Sequence, residues 1–289
     1  MFLSGLLLAL SARVSPCAVT VPEGGADKLV VGAFNIQVFG LTKAGNTVVM
    51  NNIKKIMLAY DVILIQEVRD KSGKSMQKLL TLLNSNSDVK FAYSASARLG
   101  RTSSKEQYVY YYKTDKVKLI RTALYNDTSD LFEREPYSVL IEVARTTGGP
   151  LRMALTGVHI KPSDAVGELD AMTAVYTDAK AFFNTENVVI MGDMNADCSY
   201  VTATERKKLR LFTDTETFWS LIKDSEDTTT AASSCTYDRI IVAGAELKSH
   251  VVAFDTEHFG TEFGLTPKEV KSVSDHYPVW VTLSIAVSN

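Results

Sequence analysis

Polar residues able to bind a cation or move a proton stand where apolar runs stop. Asn35 follows LVVGAF, and Glu67 lies in VILIQEV. His159 follows MALTGV, and Asp193 and Asn195 follow VVIMG. Asp238 precedes RIIVAG, and Asp275 and His276 precede YPVWVTLSI. Alone, each has an ordinary explanation: a turn, a helix cap, a half-buried histidine or a surface ion pair. Together they are a set of hard oxygen donors without thiolate, which suits Mg²⁺, Mn²⁺ or Ca²⁺ and argues against structural zinc. Two histidines add proton transfer near neutral pH. Each has a carboxylate to orient it: Asp238 for His276 and Glu106 for His159. The chemistry implied is metal-assisted attack on an anion.

The elements that must position these groups are legible in the same runs. Segments 29–34, 62–68, 108–112, 138–143, 153–158, 188–192, 239–244 and 277–285 are short, β-branched and nearly continuous in apolar residues. Strands covered on both faces have that composition. Helical periodicity occupies 47–60, 75–84 and 166–184. In the last, Val166, Leu169, Met172, Val175, Tyr176, Ala179 and Phe183 form one stripe. Hairpin-like pairs are expected over 108–124 and 138–158. This alternation predicts an α/β or α+β sandwich, two sheets face to face with helices outside. No Pro/Gly/Ser-rich linker divides the chain, so one domain is expected.

The apolar stretch from Phe2 to Ala12 is too short to span a bilayer. Small residues follow it, so residues 1–19 read as a secretory signal peptide and 20–289 as the catalytic domain. The leader contains no Lys or Arg before its apolar stretch, and an apolar N-terminal arm is the alternative. Removal of the leader leaves Cys198 and Cys235, either paired in an oxidising compartment or two free buried thiols. Asn126-Asp127-Thr128 is a glycosylation sequon for a secreted chain. The formal net charge of −2 gives no broad nucleic-acid footprint.

The segments FNIQVFG, ILIQEVRD, LGRTSSKEQYVYYY, FEREP, MGDMNADCSYV, EDTT, CTYDRI and SDHYPV occur in this order over residues 28–285. In content and order they resemble the deoxyribonuclease I family. The wording DLFEREP, and the lack of a second cysteine pair in 121–135, resemble its gamma-type branch. The resemblance implies a four-layered α/β sandwich with two packed mixed sheets. It implies a secreted, monomeric endonuclease that cleaves double-stranded DNA with little sequence specificity and leaves 5′-phosphate and 3′-hydroxyl ends. It further implies catalytic Glu106, His159, Asp238 and His276, with Asn35, Glu67, Asp193, Asn195 and Asp275 as metal and phosphate ligands. Mg²⁺ or Mn²⁺ would serve catalysis. Structural Ca²⁺ would sit on Asp130, Phe132 and Glu135 and on Asp227 and Thr229. Arg69, Arg101 and Arg134 match DNA-contacting positions, and Cys198 pairs with Cys235.

The chain also departs from the pattern. Ser104 replaces a groove-packing tyrosine, with Thr102 nearby in place of an asparagine, and Ile160-Lys161 adds a cation beside the cleft. Met194 replaces the usual aromatic residue. Ala95 and Tyr137 stand where the actin-binding member presents an apolar surface, and a bulky tyrosine there counts against actin. Two other readings carry the same residues: a phosphodiesterase of the wider superfamily acting on a non-DNA substrate, and an inactive secreted DNA- or actin-binding protein.

Overall fold

The computed structural model describes residues 20–21, 25–145 and 148–286. The expected signal peptide lies outside the described residues. The strands are β1 (Lys28–Phe39), β2 (Val62–Val68), β3 (Phe91–Ala95), β4 (Gln107–Lys113), β5 (Val117–Leu124), β6 (Tyr137–Val143), β7 (Leu151–His159), β8 (Val188–Asp193), β9 (Phe218–Ser220), β10 (Asp238–Ala243), β11 (Val251–Thr256) and β12 (Val279–Ser284). They form two six-stranded sheets, in the orders β11-β12-β1-β2-β4-β3 and β5-β6-β7-β8-β10-β9. Each sheet has one parallel pair at its centre, β1/β2 and β7/β8, with antiparallel neighbours on both sides.

The sheets face each other across a core built from both, including Leu64, Tyr110, Leu155, Val189 and Val281. A second apolar layer covers the outside of the first sheet beneath the helices Thr47–Leu58, Lys74–Leu83 and Pro267–Val273. A third lies between the second sheet and the helix Ala165–Phe183. The expected four layers are therefore present. Every residue of β8 and β10 is buried, as the unbroken apolar runs predicted. Burying each large aliphatic side chain contributes about 1.5–3 kcal/mol, so the strand centres are rigid supports for what their ends display.

Register decides where those ends fall. His159 of β7 pairs with Asp193 of β8, and Asp193 pairs with Asp238 of β10. Hydrogen bonds from Asn35 of β1 and Gln66 of β2 to Asp193 and Val158 bring the ends of the two parallel pairs to one rim. The helix Pro267–Val273 starts with a capping box, Thr266 with Glu269, and delivers the chain to Ser274, Asp275 and His276.

Candidate active site

One carboxylate oxygen is the meeting point. Asp193 Oδ2 lies 3.5 Å from His159 Nε2 and 3.6 Å from His276 Nε2. It accepts a hydrogen bond of 3.2 Å from Asn35 Nδ2, which also donates to Glu67 Oε1 at 3.2 Å. Residues spread over most of the chain are brought to this point. Gly192 makes the placement possible: at φ +132° a side chain there would be strained, and its Cβ would meet the Val158 carbonyl oxygen at 2.2 Å.

Each histidine has the carboxylate expected for it, but the two arms differ. His276 Nδ1 is hydrogen bonded to Asp238 Oδ2 at 2.7 Å, and Asp238 is fully buried. Burial by itself would depress the imidazolium. The carboxylates of Asp238, Asp193 and Asp275 outweigh it and lift the His276 pKa to about 10. His159 Nδ1 approaches Glu106 Oε1 at 3.1 Å without the direction of a hydrogen bond. Glu106 also pairs with Arg134 at 2.7 Å and faces Arg69 at 3.5 Å. Burial raises the Glu106 pKa, yet contact with His159 and the charges of Arg134 and Arg69 bring it down to about 2.

Some supporting groups were not among the residues anticipated from sequence. Gln66 joins the sheets: Nε2 donates to the Val158 carbonyl at 2.6 Å, and Oε1 accepts from the Asp193 N–H at 3.2 Å. The Tyr108 hydroxyl accepts from the His159 N–H at 2.7 Å. Ser274 Oγ donates to the Asn35 carbonyl at 2.6 Å and accepts from the His276 N–H at 3.0 Å. Gln37 Nε2 donates to Asp275 Oδ2 at 2.7 Å, and the Val38 N–H donates to Glu67 Oε2 at 2.9 Å. Gln37, Val38, Glu67 and Asn195 all have positive φ, between 45° and 57°. Such backbone is costly for residues other than glycine, most of all for β-branched Val38, and it clusters at functional sites. Gln66 was detectable as the neighbour of Glu67 in an inward-facing strand; Ser274 and Tyr108 gave no signal beyond local polarity.

The arginines divide. Arg134 and Arg69 stand inside the site: Arg134 Nε also donates to the His159 carbonyl at 3.0 Å, and Arg69 pairs with Glu67 at 2.9 Å. Arg101 is at the rim, paired with Asp130 at 3.1 Å. Asn195 is buried and donates to the Ile160 carbonyl at 2.9 Å. Of the residues expected to hold calcium, Asp227 Oδ1 closes a turn by accepting from Thr229 N–H and Oγ1, and Thr229 bridges to His276. Asp130 engages Arg101 through both its carboxylate and its carbonyl. Phe132 is buried and Glu135 half-buried in the same loop. Cys198 and Cys235 form a disulfide with Cα atoms 5.9 Å apart, settling the two alternatives in favour of pairing. Asn126 is exposed. Tyr137 corrects an expectation: it is buried, packs against Tyr110 and shares a 2.8 Å hydrogen bond with Ser94. It presents no bulky surface, so the steric ground for expecting no actin contact falls.

The donor set fits a hard divalent cation. Asp193, Asp238 and His276 bring ligand-capable atoms within 4.8 Å of one another, but Asp238 is taken up by His276, which leaves Asp193 as the carboxylate of that group free to hold an ion. Glu67 shares the Asn35 amide with Asp193, Asp275 Oδ1 lies 3.8 Å from His276 Nε2, and the buried oxygens Asp238 Oδ1 and Asp275 Oδ1 have no hydrogen-bond partner among the described residues. Several carboxylates confined together repel unless a cation offsets them.

This convergence of strand ends, on two face-to-face sheets, agrees with the match of residues 32–276 to the Endonuclease/Exonuclease/phosphatase family. The chain belongs to that family and is an enzyme. Among curated proteins it is similar to Deoxyribonuclease-1 of Bos taurus, with 39% identity over 289 residues, covering 98% of each chain. It is equally similar to Deoxyribonuclease-1 of Homo sapiens, at 39% over 295 residues and 98% and 99% coverage. Deoxyribonuclease-1-like 2 of Homo sapiens is 38% identical over 279 residues, covering 90% of this chain and 93% of the relative. These relatives do not single out the gamma-type branch. Solved structures agree in fold alone. The human Nocturnin catalytic domain gives a TM-score of 0.61 at 15% identity, covering 93% of this chain and 96% of that one. An endonuclease/exonuclease/phosphatase from Bacteroides vulgatus gives 0.60 at 13% identity, with 89% and 98% coverage.

Proposed function

We propose that this chain is a secreted endonuclease that hydrolyses DNA phosphodiester bonds with little sequence specificity, leaving 5′-phosphate and 3′-hydroxyl ends. The observation that carries this reading is the convergence of both histidines, Asn35 and Glu67 on Asp193, in a chain 39% identical to Deoxyribonuclease-1 over 98% of its length. Residues 20–289 act as one catalytic domain and as a monomer, and 1–19 is the secretory leader. The disulfide and the exposed Asn126 sequon support passage through an oxidising compartment, and among the described residues no helix is long and apolar enough to cross a membrane.

Glu67 and Asp193, with Asn35, Asn195 and Asp275 around them, would hold Mg²⁺ or Mn²⁺. A cation bound there supplies charge stabilisation at the phosphoryl oxygens. Asp130, Phe132 and Glu135, and Asp227 and Thr229, are assigned to structural Ca²⁺.

The difference between the arms supports a division of labour. Among the described residues His276 is the cation paired with Asp238, so His276 carries the proton and delivers it to the departing 3′-oxygen. Glu106 already answers two arginines, so His159 is the group left to take a proton from the attacking water. Arg134 and Arg69 orient phosphate oxygens. Phosphodiester hydrolysis asks for barrier lowering approaching 20 kcal/mol. One acid or base supplies about 10²–10⁴-fold, so the larger share falls to fixed charges around the phosphate.

Supercoiled plasmid with Mg²⁺ and Ca²⁺, with and without chelator, tests the reading. Nicking that chelator abolishes, with ends that religate without kinase treatment, is expected. Intact plasmid alongside hydrolysis of a small phosphoester would move the chain to the non-DNA reading. Plasmid retained but uncut would favour the inactive binding protein.

A further inference from the structure

The half-buried lysine of the short helix Leu41–Gly45, Lys43, has no role in proton transfer or in the ligand set, yet each of its donors has a partner. Lys43 Nζ donates to the carbonyls of Ile36 at 2.6 Å, Gln37 at 2.5 Å and Val273 at 2.9 Å. An ammonium has three N–H donors, and here each has a carbonyl. Two of those carbonyls belong to the left-handed bulge that ends β1; the third ends the helix that leads to Asp275 and His276.

The bulge turns its remaining groups toward the acidic site. Its Gln37 N–H donates to Asn35 Oδ1, its Gln37 amide to Asp275 and its Val38 N–H to Glu67. Carbonyls on one side and donors on the other follow from two consecutive residues at positive φ. Isolated, that conformation is unfavourable for Gln and more so for Val. Something must hold it, and Lys43 is the group that binds its carbonyls.

Resting on the nuclease reading above, we infer that Lys43 is a positioning residue: a latch that joins the β1 bulge to the Val273–His276 segment and so sets Asn35, Glu67 and Asp275 for the divalent cation. It touches neither substrate nor reacting atoms. Groups that orient metal ligands in this way typically contribute about 10–100-fold in metal affinity or activity.

A rival role, in which Lys43 only offsets the negative charge of the pocket, makes the opposite prediction. Removing its charge would then tighten cation binding. Mn²⁺ binding to the full-length protein, measured by calorimetry and by electron paramagnetic resonance, separates the two. Lys43→Met is expected to weaken Mn²⁺ about tenfold or more. In plasmid cleavage it is expected to lower kcat with little change in KM. Lys43→Arg keeps the charge but replaces a compact three-donor head with a planar fork. It is expected to weaken Mn²⁺ as well, and it serves as the test if Lys43→Met does not fold. Unchanged or tighter Mn²⁺ binding in the folded variant would overturn the inference. Because Mn²⁺ binding needs no DNA, failure of the wild-type protein to cut plasmid would overturn the nuclease reading while leaving this test intact.

Discussion

His276 with Asp238 and His159 with Glu106 are built from the same two residue types, yet they are different devices. Asp238 is fully buried and aligned on one ring nitrogen, with the carboxylates of Asp193 and Asp275 as the other charges near that ring. Glu106 is shared among His159, Arg134 and Arg69 and is not aligned on the histidine. A carboxylate with one cationic partner fixes that partner's protonation; a carboxylate with three fixes the architecture around it. The first arm is specialised for holding a proton and the second for holding two arginines beside a histidine.

The largest expected effects come from separating those roles. Asp238→Asn is expected to lower kcat about 10³–10⁴-fold, because it removes the charge that keeps His276 protonated and oriented. Its stability cost should be the smaller one, because the His276 stabilisation that is lost is offset by relief of the Asp238 carboxylate, whose own pKa burial pushes up, and because His276 can shed its proton. Glu106→Gln should do the reverse. It leaves Arg134 without its anion, Arg69 keeping Glu67, at about 3–5 kcal/mol, while kcat falls by about 10–100-fold. Thermal unfolding and steady-state nicking of both variants check the crossover; equal losses in both measurements would erase the distinction.

The same contrast sets opposite pH limbs in the metal-free protein. The His276 pKa of about 10 lies above its ordinary 6.5, so its stabilising contribution is complete below 6.5 and lost as pH rises through 10. The Glu106 pKa of about 2 lies below its ordinary 4.5, so its contribution is complete above 4.5 and lost as pH falls through 2. Melting temperature against pH should lose its alkaline decline in His276→Asn and part of its acid decline in Glu106→Gln.

How far this was readable from sequence depends on the kind of signal. The rim was legible because β8 and β10 are buried throughout, so their polar ends interrupt continuous apolar runs. Edge strands β3, β9 and β11 were missed: β3 and β11 are largely half-exposed and β9 has three residues, so no apolar run marks them. Both histidine–carboxylate pairings were anticipated, but not their inequality. That arises from Arg134 in a separate loop and from Arg69 at the end of β2. Lys43 was illegible, since its partners are backbone carbonyls that carry no side-chain signature. Tyr137 was misjudged because a tyrosine at the start of a strand gives no sign of whether its hydroxyl finds Ser94 or solvent.

Away from the two arms, effects should shrink. Replacing Cys198 and Cys235 by serine opens a link between residues 37 apart in sequence. The expected cost is about 3–4 kcal/mol of stability, read as a lower melting temperature, with activity of the folded fraction within a few-fold of wild type. Arg101→Ala, at the rim, should raise KM a few-fold, leave kcat alone and reduce the salt dependence of DNA binding by about one counterion. A kcat loss in Arg101→Ala matching that of Arg134→Ala would put the rim arginine inside the site.

The central claim is that strand ends from both sheets form one cation pocket around Asp193. Crystals grown with Mn²⁺ and measured at the manganese edge test it directly. The expected result is an anomalous peak within coordination distance of Glu67 and Asp193, abolished in Asp193→Asn crystals grown the same way. A peak that persists in that variant, or one that lies away from both carboxylates, would contradict the account.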